Sequence, residues 1–234
     1  MIRLLLISSS RVHGGGWLDL FVGEIDAFLG PKIRRALFVP FALADHAGYH
    51  EKARARLAAI GVELDSLHGP GDGREKVARA QAFVVGGGNT FRLLAALQER
   101  GLLDAIGERA RAGIPFVGWS AGSNLACPTI RTTNDMPIVE PKSLRALGLL
   151  PFQINPHYID ADPSSTHMGE TREQRIEEFL EENDMRVLGL REGAFLRREG
   201  SSLRLGGAAG ARLFRRGRKP EEKSVGVALD DLLV

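Results

Sequence analysis

Short apolar runs alternate with helical patterns along most of the chain. The runs Arg3–Ser8, Ala36–Pro40, Gly61–Ser66, Ala82–Val85, Pro115–Val117, Phe152–Asn155 and Arg186–Leu190 predict strands. Between them, Trp17–Phe28, Asp45–Ile60, Gly73–Ala80, Thr90–Glu99, Leu102–Ala112 and Glu170–Glu182 predict helices. The last of these has Thr171 as a cap, and Ile176, Phe179 and Leu180 form an apolar stripe on an otherwise charged segment. Such alternation predicts an α/β fold with a mostly parallel sheet flanked by helices on both faces. Toward the C-terminus the period shortens. Ala194–Arg198, Ser202–Leu205, Ala211–Phe214 and Ser224–Leu229 predict short antiparallel strands, with a turn at Gly206-Gly207. No repeat, low-complexity tract or linker interrupts the pattern, so residues 1–234 are expected to form one domain, long enough to bury a core.

In parallel sheets ligands gather beyond the carboxyl ends of the strands. Two segments there carry glycine-rich chemistry. In "VVGGGNTFRLL", residues 84 to 94, three glycines separate a strand from a helix. Neither the dinucleotide pattern nor the P-loop lysine is completed, which leaves a tight turn or exposed N–H donors for an oxyanion. In "VGWSAGSNLACPTI", residues 117 to 130, Gly118-Trp119-Ser120-Ala121-Gly122 matches G-x-S-x-G between a strand and a helical segment. That context suits a nucleophile elbow, although the five residues alone also fit a structural turn. Ser123 falls inside the helix, where it is a poorer nucleophile.

A serine hydroxyl needs a base, and the base needs an orienting carboxylate. Of six histidines, His13, His46, His50 and His68 have no supporting pattern. His157 in "FQINPHYID" is the better candidate and His167 in "HMGETR" the alternative. Glu192 sits just past a strand, where a carboxylate either orients His157 or simply faces solvent.

Composition narrows the picture further. The formal net charge is +2, with charged residues at 26%. The basic cluster Arg212, Arg215, Arg216, Arg218 and Lys219 has no recognisable nucleic-acid module around it and reads as a solvated turn. One cysteine, Cys127, excludes an internal disulfide framework and points to a reducing compartment. It reads as a small buried hydrophobe. The apolar run at Ile2–Ile7 is too short for a signal core, and no stretch reaches the roughly 20 residues of a membrane span. There is no H-E-x-x-H motif, so no metal or cofactor is expected.

"VGGGNTFRLL", "GWSAGSNLACPTIRTTNDMPIVEP", "QINPHYI" and "GETREQRI" strongly resemble the peptidase E family of α-aspartyl dipeptidases. The resemblance runs from the first strand to about residue 193 and is loose after Gly193. It implies a cytoplasmic serine peptidase on a flavodoxin-like sheet of the class I glutamine amidotransferase type. The substrates would be dipeptides and some short peptides that begin with aspartate, and a homodimer is compatible with it. Carried over by position, Ser120 matches the nucleophile, His157 the base and Glu192 the third member. Gly88 and Ala121 match the oxyanion donors, and Arg172 matches an arginine for the aspartate side chain. Asn134 and Asp135 match a pair assigned to substrate binding. Ser123 replaces a common alanine and Tyr158 a common phenylalanine. Two rivals remain: a cyanophycinase-like hydrolase of other aspartyl amides, and a non-catalytic anion-binding protein of the same fold.

Overall fold

The computed structural model describes residues 1–234 apart from Pro163, Ser165 and His167. The chain runs β1 (Arg3–Ile7), α1 (Val22–Leu29), β2 (Arg35–Val39), α2 (His46–Ala58), β3 (Glu63–Ser66), α3 (Gly73–Arg79), β4 (Phe83–Val85), α4 (Thr90–Glu99), α5 (Leu103–Arg111) and β5 (Phe116–Trp119). It continues through α6 (Ala121–Leu125), β6 (Gln153–Tyr158), α7 (Arg172–Glu182), β7 (Val187–Arg191), β8 (Ala194–Glu199), β9 (Ser202–Gly207), β10 (Ala211–Phe214) and β11 (Glu221–Lys223), and ends on a 3₁₀ turn at Asp230–Leu233.

The main sheet has the order β3-β2-β4-β5-β1-β8-β9. Its first five strands are parallel, and β8 and β9 run antiparallel to their neighbours. The apolar runs of β1, β2, β4 and β5 are near-continuous because both faces are covered, whereas the edge strand β3 alternates, with Glu63 and Asp65 exposed. Leu4, Leu6, Val39, Phe83, Val85 and Phe116 point to one core, where α3, α4, α5 and α6 pack. Leu5, Ile7, Phe38, Val84, Val117 and Trp119 point to the other, beneath α1 and α2. The period of two in the strands therefore serves both layers.

A smaller sheet has the order β11-β10-β7-β6, with β6 and β7 parallel and β10 antiparallel to β7. Leu188, Leu190 and Leu213 join the larger core, while Tyr158, Val187 and Phe214 pack with Ile176 and Leu180 of α7. Thr171 accepts a hydrogen bond from Gln174 N–H and Gln174 answers it, a capping box that fixes the start of α7.

The mostly parallel sheet with helices on both faces is present as expected, and four details differ from the sequence reading. The strands expected at Phe152–Asn155 and Arg186–Leu190 build the second sheet instead of extending the first. The former also runs on to Tyr158, through Pro156 and a register shift. Proline is tolerated there because β6 is an edge strand. The helix expected from Trp17 begins only at Val22, since Leu18 has φ 58°. The strand expected at Ser224–Leu229 lies earlier, at Glu221–Lys223, and Ala228 keeps only an isolated bridge to Arg204.

Candidate active site

The carboxyl ends of β1, β4 and β5 lie side by side, and the chain leaves β5 through a sharp elbow. Ser120 has φ 52° and ψ −112°, a conformation that side-chain-bearing residues rarely adopt. Its N–H donates to the Ile7 carbonyl at 3.0 Å and so prolongs the β1–β5 ladder by one step. Its carbonyl accepts from the N–H groups of Ser123 and Asn124 and starts α6. The elbow needs glycine behind it: a Cβ on Gly122 would lie 2.3 Å from the Val85 carbonyl oxygen. Ser123 is buried, and its hydroxyl donates to the carbonyls of Ile7 and Gly118 at 2.7 and 3.0 Å. Only Ser120 of the two is left facing the cleft.

His157 and Glu192 reach the elbow from the smaller sheet. His157 Nε2 lies 3.0 Å from Ser120 Oγ, and its Nδ1 lies 2.7 Å from Glu192 Oε1. With the proton on Nδ1, the carboxylate holds the tautomer that leaves Nε2 free to accept from the hydroxyl. His157 also has a positive φ, 52°, at the irregularity between Pro156 and Tyr158. The bulge turns one residue of β6 toward the cleft. Glu192 occupies the turn between β7 and β8, where the chain passes from one sheet to the other. His167, the alternative base, lies outside the described residues.

Ser8 was not singled out by its sequence, yet it joins these parts. It is fully buried. Its hydroxyl accepts from His157 N–H at 2.9 Å and donates to the Leu190 carbonyl at 2.6 Å. One side chain at the end of β1 thus holds the bulge that carries His157 and the strand that leads to Glu192. A run of three serines at positions 8 to 10 was the only signal, and it does not say which one points inward.

The glycine loop forms the other wall. Gly88 has φ 135°, and a Cβ there would lie 2.5 Å from the Ala42 carbonyl oxygen, so only glycine fits. Asn89 N–H donates to Ala42 at 2.8 Å, and the Asn89 side chain accepts from Arg92 N–H to cap α4. Ala121 N–H is the first of α6, at the end of a helix where amides lack intrahelical acceptors. Two backbone N–H groups beside a hydroxyl bonded to an imidazole can stabilise a developing oxyanion.

Asn134 and Asp135 brace this wall. Asp135 accepts from Thr90 N–H at 2.8 Å, Thr90 Oγ1 at 2.5 Å and Thr133 Oγ1 at 3.0 Å. A carboxylate at the start of α4 is favoured by the helix dipole as well. Asn134 donates to the Pro156 carbonyl at 2.7 Å and accepts from Asn155 at 2.8 Å, next to His157. Both side chains are therefore engaged by protein groups.

Ser120, His157, Gly87 and Gly88 line a cleft of about 470 Å³ with Trp17, Tyr49 and Lys52. Arg172 is not among the residues that line this cleft. It opens on a neighbouring cavity of about 400 Å³ with Ile159, Asp160 and Arg175. Burial, and the charge of Arg175, lower its pKa from the ordinary value, and Asp135 opposes them. It has no ion pair among the described residues. Cys127 is fully buried, and its thiol pKa is pushed up to about 12 by burial, which keeps it protonated and inert. Among the described residues no three His, Cys, Asp or Glu side chains are grouped to hold a metal. Nor is any helix among them long and apolar enough to cross a membrane.

The model of peptidase family S51 matches residues 4–206. Peptidase E of Streptomyces coelicolor is 54% identical over 232 residues, covering 99% of this chain and 95% of the relative. A Drosophila melanogaster protein named "Probable alpha-aspartyl dipeptidase" is 47% identical over 215 residues, 91% of this chain and 90% of that one. A solved peptidase from an acI-B1 Actinobacterium superposes with a TM-score of 0.69 at 18% identity, covering 98% of this chain and 97% of its own, and so supports the fold. The protein belongs to peptidase family S51.

Proposed function

We propose that this peptidase is a serine-type α-aspartyl dipeptidase, cleaving the bond after an N-terminal aspartate in Asp-X dipeptides and some short peptides. The observation that carries the reading is the continuous line Ser120 Oγ, His157, Glu192, with contacts of 3.0 and 2.7 Å. Ser120 attacks the scissile carbonyl while His157 takes its proton, and Glu192 stabilises the imidazolium. The oxyanion rests against the N–H groups of Gly88 and Ala121, each such donor contributing about 3 to 4 kcal/mol in the transition state. His157 then protonates the leaving amine, and water releases the acyl group by the reverse route.

Arg172 is the group for the aspartate side chain. Its guanidinium offers a fork matched to a carboxylate, and it stands at the start of α7, where the dipole favours an anion. Asn134 and Asp135 serve the substrate site by fixing the walls on either side of it. The core runs from Leu4 to Leu232 through both sheets, which supports one domain over residues 1–234. The lone buried Cys127 fits work in the cytoplasm.

A hydrolysis panel of Asp-X, β-Asp-Arg and Leu-X substrates tests the reading. A preference for Asp-X that Arg172→Ala abolishes, with the melting temperature kept, is the expected outcome. No preference for N-terminal aspartate would overturn it, and better cleavage of β-Asp-Arg would favour the cyanophycinase-like rival.

A further inference from the structure

The cleft that holds Ser120 also holds a lysine. Lys52 lies on α2 and lines the same 470 Å³ space as Ser120, His157 and Gly88. Among the described residues it makes no ion pair. Its neighbour Glu51 is taken by Arg54 at 2.6 Å. Asp45, whose carboxylate lines the cleft, accepts from Gly48 N–H at 2.9 Å and caps α2.

Lys52 is nevertheless held in place. Its Nζ stands 4.8 Å from the centroid of the Trp17 ring, a cation–π contact that leaves ammonium N–H groups free to donate elsewhere. Trp17 meets Trp119 edge to face, with ring centroids 5.7 Å apart, and Trp119 immediately precedes Ser120. Trp119 is itself fixed, stacked on Phe38 and donating from its indole to the Tyr49 hydroxyl at 2.8 Å. A rigid aromatic wall therefore carries the lysine at a set place relative to the nucleophile.

An Asp-X dipeptide has two carboxylates, one on its first side chain and one at its C-terminus. With the scissile carbonyl at Ser120, the C-terminal carboxylate belongs to the leaving half, one residue away. Arg172 lines a separate cavity with Ile159, Asp160 and Arg175, whereas Lys52 shares the cleft with Ser120. We infer that Lys52, seated on Trp17, receives the free C-terminal carboxylate of the leaving amino acid and selects dipeptides over longer or amidated peptides. A lysine suits this use, since it acts as a point charge on a carboxylate whose orientation changes with each X residue. The inference rests on the dipeptidase reading, but it concerns the half of the substrate that Arg172 does not touch.

The test compares each accepted dipeptide with its C-terminal amide in wild type, Lys52→Met and Lys52→Arg. Wild type is expected to favour the free acid by about tenfold or more in kcat/KM, because the amide offers no charge for the ammonium. Lys52→Met is expected to bring that acid-to-amide ratio down to near one, and Lys52→Arg to restore most of it. Trp17→Leu should lower the ratio partway by freeing the lysine. A wild-type ratio near one overturns the inference without any variant, and so does a Lys52→Met ratio equal to wild type. The ratio is read on whichever N-terminal residue the enzyme accepts, so failure of aspartate preference and failure of the lysine contact give separate results.

Discussion

The two halves of the candidate site are built from different materials. The Ser120 half is backbone: a strained elbow, a glycine that admits the Ala42 carbonyl, and N–H groups at the ends of strands and helices. Its supports are buried. The His157–Glu192 half is a pair of side chains, one on the smaller sheet and one on the turn that leaves it, 38% and 46% exposed. Backbone devices hold their geometry through the main-sheet ladder and tolerate almost no substitution. The side-chain pair is softer, and its placement depends on Ser8, a hydroxyl that ties both sheets together.

Four substitutions probe this difference, and the largest effect belongs to the nucleophile. Ser120→Ala should reduce kcat by about 10⁴-fold or more with the fold retained, as loss of a serine nucleophile does in other triads. Steady-state kinetics beside a thermal melt reads it, and turnover near wild type would remove Ser120 from the chemistry. Glu192→Gln comes next. A carboxylate-to-amide change in a buried triad costs about 10⁴ in kcat through the wrong imidazole tautomer, and partial exposure here should reduce the loss to about 10²- to 10³-fold. A fall as large as that of Ser120→Ala would erase the proposed contrast between hard and soft halves.

Gly88→Ala should cost kcat about 10²-fold by tilting one oxyanion donor. It should also destabilise the fold, since its Cβ would press on the Ala42 carbonyl. An unchanged kcat would take Gly88 out of the oxyanion site. Ser8→Ala is the mildest. It leaves the His157 N–H and the Leu190 carbonyl without their shared partner, an expected cost of about 1 to 3 kcal/mol in stability. Because the bulge is loosened, kcat should fall by about tenfold with KM nearly unchanged, roughly 1.4 kcal/mol in the barrier. Equal changes in kcat and KM, or none, would assign Ser8 to folding alone.

Much of this was legible along the chain. The main-sheet strands, the helix starts at Asn89 and Thr171, and the elbow at Ser120 are local features. They follow from period, capping residues and glycine spacing within about ten positions. His157 and Glu192 were candidates from their places just past strands, and the resemblance to the peptidase E family matched them to the base and the third member, but neither gave the distance between them. The second sheet was hidden, because the apolar runs of β6 and β7 do not state which strands they pair with. The bulge at His157 was hidden for the same reason, since a register shift exists only against a partner strand. Arg172 was expected to bind the substrate's aspartate side chain, and which cavity it lines was decided only by the fold.

The sequence alone determined what can be written as local chemistry: an α/β chain with buried parallel strands, a serine between glycines, and one unreactive cysteine. Tertiary structure alone decided which hydroxyl, imidazole and carboxylate meet. Ser8, Ser120, His157 and Glu192 come from four separate segments, and only the docking of two sheets brings them within hydrogen-bonding distance. The same holds for Lys52 and Trp17, whose contact spans α1's approach and α2. Local pattern records the propensity of a segment. Contacts between distant segments are fixed by how their apolar faces share a core, and that information is spread over the whole chain.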